Sequence, residues 1–290
     1  MNPQVLLENF DRICDVPEAI TKVRQFILEL AVRGKLVQQD PRDQPAAELL
    51  RSIQFEKHRL VAEGSLRKEK PRLPAAPQEL SFELKPGWEP ARISQLVLEL
   101  QTGPFGSSLH ESDYKKGGTP VINPASMKNG RIVPIEKMAV GSATLERLSG
   151  FKLRPGNIIM ARRGEMGRCA VVTEREDGWL CGTGSLILRL PDNLFAPFLV
   201  LLIGSPFVRE YLGGSAVGST MQNLNQAILL NLVVGLPPFE EQRRIAAKAE
   251  ELMTLCDRLE AQFVCARDQK QKLLDSLLFK ALHDDDSLHP

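Results

Sequence analysis

Leu236-Pro237-Pro238-Phe239-Glu240-Glu241-Gln242-Arg243-Arg244-Ile245 opens a long helix, and the pattern of the residues beyond it decides the architecture. Proline suits the first helical positions, where an N–H would go unbonded, and acids in the first turn complement the helix dipole. Apolar residues then fall at Ile245, Ala249, Leu252, Cys256, Leu259, Phe263 and Ala266, in alternating steps of four and three. That is a heptad seam, and Leu273, Leu274, Leu277, Leu278 and Leu282 continue an apolar side. A helix from Glu240 to Leu282 would run roughly 65 Å at ~1.5 Å per residue, longer than an ordinary globular helix. The seam therefore predicts a partner helix, with Leu252, Leu259 and Phe263 as central assembly positions. The alternative is a helix folded back on its own domain.

Upstream, from Trp88 to about Pro237, the chain changes character. Short β-prone runs (120–122, 157–160, 169–172 and 185–188) are separated by turn signals at Gly117-Gly118, Asn129-Gly130, Pro155-Gly156 and Asp177-Gly178. This pattern predicts a β-rich domain, with a helical stretch at 198–212 broken near Pro206. Further upstream, Ile20, Val23, Ile27, Leu30 and Ala31 recur at helical spacing, and Gly34 suits a helix stop. Pro45 is placed to open a second helix over 46–63. The division expected is a helical segment over 1–70, a proline-rich linker over 71–87, the β-rich domain over 88–237, the long helix over 238–283 and an acidic tail over 284–290. The fold class is α+β.

Composition excludes little by itself: hydrophobic residues make up 43% and charged residues 25%. No apolar run approaches the ~20 residues that a bilayer span needs, and the first fifteen residues lack a signal-peptide pattern, so a cytoplasmic protein without a membrane partner is expected. The five cysteines are odd in number and none sit at CxxC spacing, which predicts reduced, structural thiols and no metal site. Net charge is +1, but residues 93–237 hold 14 basic and 11 acidic side chains, whereas 238–290 hold 8 and 11. A duplex-binding protein needs only a basic face.

No motif assembles a catalytic centre, and GxSxG, Walker and HExxH patterns are all missing. Thr102-Gly103-Pro104-Phe105-Gly106-Ser107-Ser108 has the glycines of a phosphate loop without its Lys-Ser/Thr pair. What remains is a set of polar loops. Arg162-Arg163-Gly164-Glu165-Met166-Gly167-Arg168 lies between two β-prone runs, and an arginine fork suits guanine edges and phosphates. A solvated hairpin tip is the alternative. The run 215–225 is rich in amides and hydroxyls, which contact adenine edges and phosphates but also build ordinary turns. Tyr114-Lys115-Lys116 and Lys128-Asn129-Gly130-Arg131 add basic loops.

Taken in order, these stretches resemble a specificity subunit of type I restriction-modification systems, in a half-length form with a single target recognition domain. The resemblance rests on 102–109, Gly118-Thr119-Pro120-Val121-Ile122-Asn123, 153–164, Met166-Gly167-Arg168-Cys169-Ala170-Val171-Val172, Gln222-Asn223-Leu224-Asn225 and 236–245, with Val23 to Val37 resembling the end of a helical region of the family. It implies a β-rich recognition domain flanked by an N-terminal helical segment and a long C-terminal helix, which form antiparallel coiled-coil-like arms. It implies reading of one half of a split double-stranded DNA target. Adenine methylation with S-adenosylmethionine would belong to modification subunits, and ATP- and Mg-dependent translocation and cleavage to a restriction subunit. The chain itself would hold no cofactor and perform no chemistry. A second half-subunit, identical or different, would complete a dimer. The DNA contacts expected are Ser107, Ser108, Lys115, Lys116, Lys128, Arg162, Arg163, Arg168, Gln222 and Asn223. Two other functions compete: a protein-interaction adaptor without sequence-specific DNA binding, and a hydrolase with an unrecognised site.

Overall fold

The computed structural model describes residues 19–68, 72–214 and 224–284. The chain divides into two compact units, one of residues 28–248 and the other of residues 1–27 with 249–290. The fold mixes helix and sheet, with a β-rich centre and a long C-terminal helix, as the sequence predicts.

Helix α1 (Ala19–Val32) stops where glycine allows it. Gly34 takes φ +65°, its N–H donates to the Ala31 carbonyl, and the Lys35 N–H donates to the Leu30 carbonyl at 2.8 Å. This is the left-handed closure that satisfies the last carbonyls of a helix. A Cβ at position 34 would also strike the Trp88 ring. Helix α2 (Ala46–Ala62) starts after Pro45 and closes in the same way at Gly64, with the Ser65 N–H on the Leu60 carbonyl. Its Ile53 is fully buried. Its Lys57 ammonium donates to the carbonyls of Ser94 (2.8 Å) and Val97 (2.9 Å), at the end of the one-turn helix α3 (Ile93–Leu96). Helix α2 and the stretch expected as a linker both belong to the 28–248 unit, where Ile53 and Trp88 share one core with the strands.

Strand β1 (Glu89–Arg92) pairs antiparallel with β11 (Val233–Leu236), joining the two ends of the β-rich segment. Between them lies an antiparallel sheet in the order β2 (Glu99–Thr102), β10 (Ser185–Arg189), β7 (Ile158–Ala161) and β8 (Cys169–Val171). Successive side chains on a strand face opposite ways. Ile158, Met160, Leu186 and Leu188 accordingly join one core and Ile159, Ala161 and Ile187 another, so the sheet is buried on both faces. A smaller sheet sets β3 (Tyr114–Ile122) between β6 (Ala139–Val140), antiparallel, and β9 (Leu180–Cys181), parallel. The short helix α4 (Ser142–Arg147) leads on from β6. Helices α5 (Ala196–Gly204) and α6 (Pro206–Gly214) contribute Phe198, Leu202, Val208 and Leu212 to the first core. Strands β4 (Met127–Lys128) and β5 (Arg131–Ile132) form a hairpin over Asn129-Gly130, both at positive φ as a tight primed turn requires.

Helix α8 (Phe239–Asp284) starts within the 236–245 run, and its first turn is tied to the domain by buried polar side chains. The Glu241 carboxylate accepts from Trp88 Nε1 (3.0 Å) and Gln39 Nε2 (3.2 Å). Gln242 accepts from the Phe195 N–H and donates to the Pro237 carbonyl. Within the other unit, the Arg24 guanidinium binds Asp257 and Glu260. Ala249 and Cys256 are buried, while Leu255, Val264, Leu273 and Leu274 are exposed. Leu252, Leu259 and Phe263 are half-buried. Among the described residues no helix is long and apolar enough to cross a membrane.

Candidate nucleic-acid interface

Strand register brings several polar loops to one end of the four-stranded sheet. Leu186 pairs with Thr102, Ser185 with Ala161 and Met160 with Cys169, so the loops after β2 and β7 and before β8 and β10 emerge together. The turn at 182–185 ties them to one another. The Arg162 N–H donates to the Gly184 carbonyl (2.8 Å) and the Gly103 N–H to the Ser185 carbonyl (2.9 Å). The Gly182 N–H donates to the Ile122 carbonyl (2.9 Å), which brings Asn123 alongside. Gly103 packs on the Gly182 carbonyl, and Gly182 packs on the Asn123 side chain, too closely for a Cβ at either glycine.

The segment after residue 223 returns to the same place. The Leu224 N–H donates to the Arg162 carbonyl (2.9 Å), and Gln226 Nε2 donates to Thr102 Oγ1 (2.6 Å). Gln222 and Asn223 lie outside the described residues. Asn225 is committed to structure: its side chain caps helix α7 (Gln226–Asn231) by accepting from the Ala227 N–H.

The arginines of the loop between β7 and β8 differ in their surroundings. Arg168 donates to Glu165 (2.6 Å) and to the Pro124 carbonyl (3.2 Å). Glu165 also binds Arg209 of α6. The bond from Arg168, opposed by burial and reinforced by the Arg209 charge, holds the Glu165 carboxyl below the usual range. Gly167 takes φ +79° and lies against Arg209 and the Ile203 carbonyl, leaving no space for a side chain. Arg162 is half-buried, and its Nε has no acceptor among the described residues. Burial and the neighbouring Arg163 charge both lower its proton affinity. Arg163 is exposed.

The other expected contacts lie at varied distances from this cluster. Ser107 and Ser108 come after Thr102 on the loop that leaves β2, where the Ser108 carbonyl accepts from Arg147. Lys128 is exposed on the β4–β5 hairpin, which bridges to β8 through Gly130 and Ala170. Lys115 and Lys116 are exposed near the start of β3, whereas Asn123 sits just past its end. Tyr114 and Thr119 both pair with Val140 of β6, so the two lysines sit on a bulge in the strand, with Lys115 against Gly141. Reasoning from sequence passes over Phe105, Asn123, Glu165 and Arg209 as site residues. An aromatic flanked by Gly103 and Gly106 is the one visible signal; the pairing of Glu165 with Arg209 has none.

Among the described residues the cysteines carry no comparable signs of chemistry. Cys169 and Cys181 are buried and free, and burial pushes the Cys169 thiol up to about 12. Among the described residues, no group of three or more His, Cys, Asp or Glu side chains could hold a metal.

Among known proteins, residues 86–263 match the family described as "Type I restriction modification DNA specificity domain". The chain is 28% identical over 295 residues to the type I restriction enzyme EcoEI specificity subunit of Escherichia coli, covering 97% of this chain and 50% of that protein. It is 32% identical over 266 residues to the EcoAI specificity subunit of the same species, covering 89% and 44%. The chain thus spans about half the length of the curated relatives it matches. A solved structure described as "Structural basis underlying complex assembly and conformational transition of the type I R-M system" shares the fold at a TM-score of 0.54 and 19% identity, covering 94% of this chain and 58% of that one.

Proposed function

Because the chain belongs to the type I restriction-modification DNA specificity family, we propose that its β-rich unit reads one half of a split duplex DNA target on behalf of partner subunits. The observation that carries this is the gathering of loops around Arg162, a half-buried arginine whose backbone is bonded to both Gly184 and Leu224. A guanine edge or a phosphate oxygen offers acceptors in a planar geometry that the exposed part of an arginine fork matches.

In this reading Arg162 and Arg163 approach the bases, with Ser107, Ser108, Lys128, Gln222 and Asn223 as further contacts. Lys115 and Lys116 hold phosphates. Arg168, with donors on Glu165 and Pro124, touches DNA while also bracing its own loop. The chain performs no reaction. Modification subunits docked on it methylate adenine with S-adenosylmethionine, and a restriction subunit cleaves with ATP and Mg, all in the cytoplasm.

The helices supply the spacing between half-sites. Leu252, Leu259 and Phe263 lie on the seam of α8, and Leu255, Val264, Leu273 and Leu274 leave apolar surface in water that a partner helix would cover. The chain therefore works as a dimer, with a second copy or another half-subunit. Two identical copies related by two-fold symmetry read an interrupted palindrome.

Methylation mapping of DNA from cells that express the chain with its modification partner tests this function. A split motif of modified adenines is expected. Methylation that does not depend on the chain would overturn the reading.

A further inference from the structure

Phe105 stands out at this end of the sheet, a phenylalanine that is 66% exposed. The backbone that carries it is pinned on both sides. Before it, Gly103 is bonded to the Ser185 carbonyl and packed on Gly182, and Pro104 is buried. After it, the Phe105 carbonyl accepts from the N–H groups of Ser108 (2.8 Å) and Leu109 (3.3 Å). Leu109 is buried, and Arg147 holds the Ser108 carbonyl while also binding Asp113.

The ring is thus displayed on an anchored loop between Pro104 and Gly106, where burial would have been the favourable outcome for a phenyl group. The turn that anchors this loop, residues 182–185, also anchors Arg162. An apolar ring and a cationic fork are therefore fixed to the same few residues. DNA offers both complements at close quarters: charged or polar edges for the arginine, and thymine methyl groups or base faces for the ring.

We propose that Phe105 is a specificity-determining residue that lays its ring on the apolar surface of DNA bases, either a thymine methyl or the face of an unstacked base. This rests on the DNA-reading function proposed for the β-rich unit. Arg162, anchored by the same turn, favours DNA over an apolar protein partner, because a cation attracts the phosphates that flank any base the ring reaches.

The test uses the full chain with its modification partner, as wild type and as Phe105→Ala. The probes are a duplex carrying the mapped target, a scrambled duplex, targets with deoxyuridine replacing single thymidines, and targets with 2-aminopurine replacing single adenines. Phe105→Ala is expected to weaken target binding roughly 5- to 150-fold, the range of one aromatic–base contact, and to leave scrambled-duplex binding unchanged. For a methyl contact, one deoxyuridine weakens the wild type but not the variant. For a base-face contact, 2-aminopurine brightens on binding the wild type but not the variant. Equal target binding by both proteins overturns the inference, as does equal loss on target and scrambled duplexes, or a loss accompanied by neither signature. A wild type with no preference for the target would instead overturn the DNA-reading function itself.

Discussion

A guanidinium whose Nε is buried without an acceptor loses hydration and gains no bond, at a cost of about 1–3 kcal/mol. Among the described residues Arg162 is in that position, and burial together with Arg163 disfavours its charge. That nitrogen is closed off by the fold, so a DNA contact must be made by the part of the half-buried side chain that stays open to solvent. Arg162→Ala is therefore expected to weaken target binding by about 1–3 kcal/mol and to relax preference at one base pair. Arg162→Lys should not restore that preference, because an ammonium lacks the planar fork. Anisotropy measurements on the mapped target and its single-base variants check both. Equal weakening on every sequence would mark Arg162 as a phosphate contact.

At the scale of elements, the loop between β7 and β8 is held by Glu165, which binds Arg168 three residues on and Arg209 on α6. The folded-state carboxyl sits below its usual range. Its contribution to stability is thus present above the ordinary glutamate value near ~4.3 and is lost as pH falls through the depressed value. The difference in melting temperature between wild type and Glu165→Gln should be full at neutral pH and shrink in acid. A difference independent of pH would show that the ion pairs do not hold the loop. Elements of this kind separate what the sequence reveals from what it hides. Gly34 and the Asn129-Gly130 turn are legible because a positive φ is a local demand. The β-prone runs are legible from their apolar content between turn signals. The bond between Glu165 and Arg209 spans 44 residues, and no local pattern announces it. Sequence marks Glu241 as a dipole partner in the first turn of α8, yet it is buried and bonded to Trp88, 153 residues away. The end of the sheet where loops meet depends likewise on strand order, which periodicity does not encode.

For the whole molecule, α8 is the element least explained by a single chain. Its 46 residues extend about 69 Å at ~1.5 Å per residue. Leu273 and Leu274 are exposed, so changing them should spare the fold. Leu273→Asp with Leu274→Asp is expected to shift the chain from dimer towards monomer in analytical ultracentrifugation. An unchanged association state would remove these residues from the interface.

If one end of the four-stranded sheet meets DNA, bound duplex must shield the loops gathered there. Amide hydrogen exchange of the chain with its modification partner, with and without the mapped target duplex, measures that shielding most directly. The expected result is DNA-dependent protection in residues 102–108, 162–168 and 224–226. Protection elsewhere, with these three segments unchanged, would contradict it.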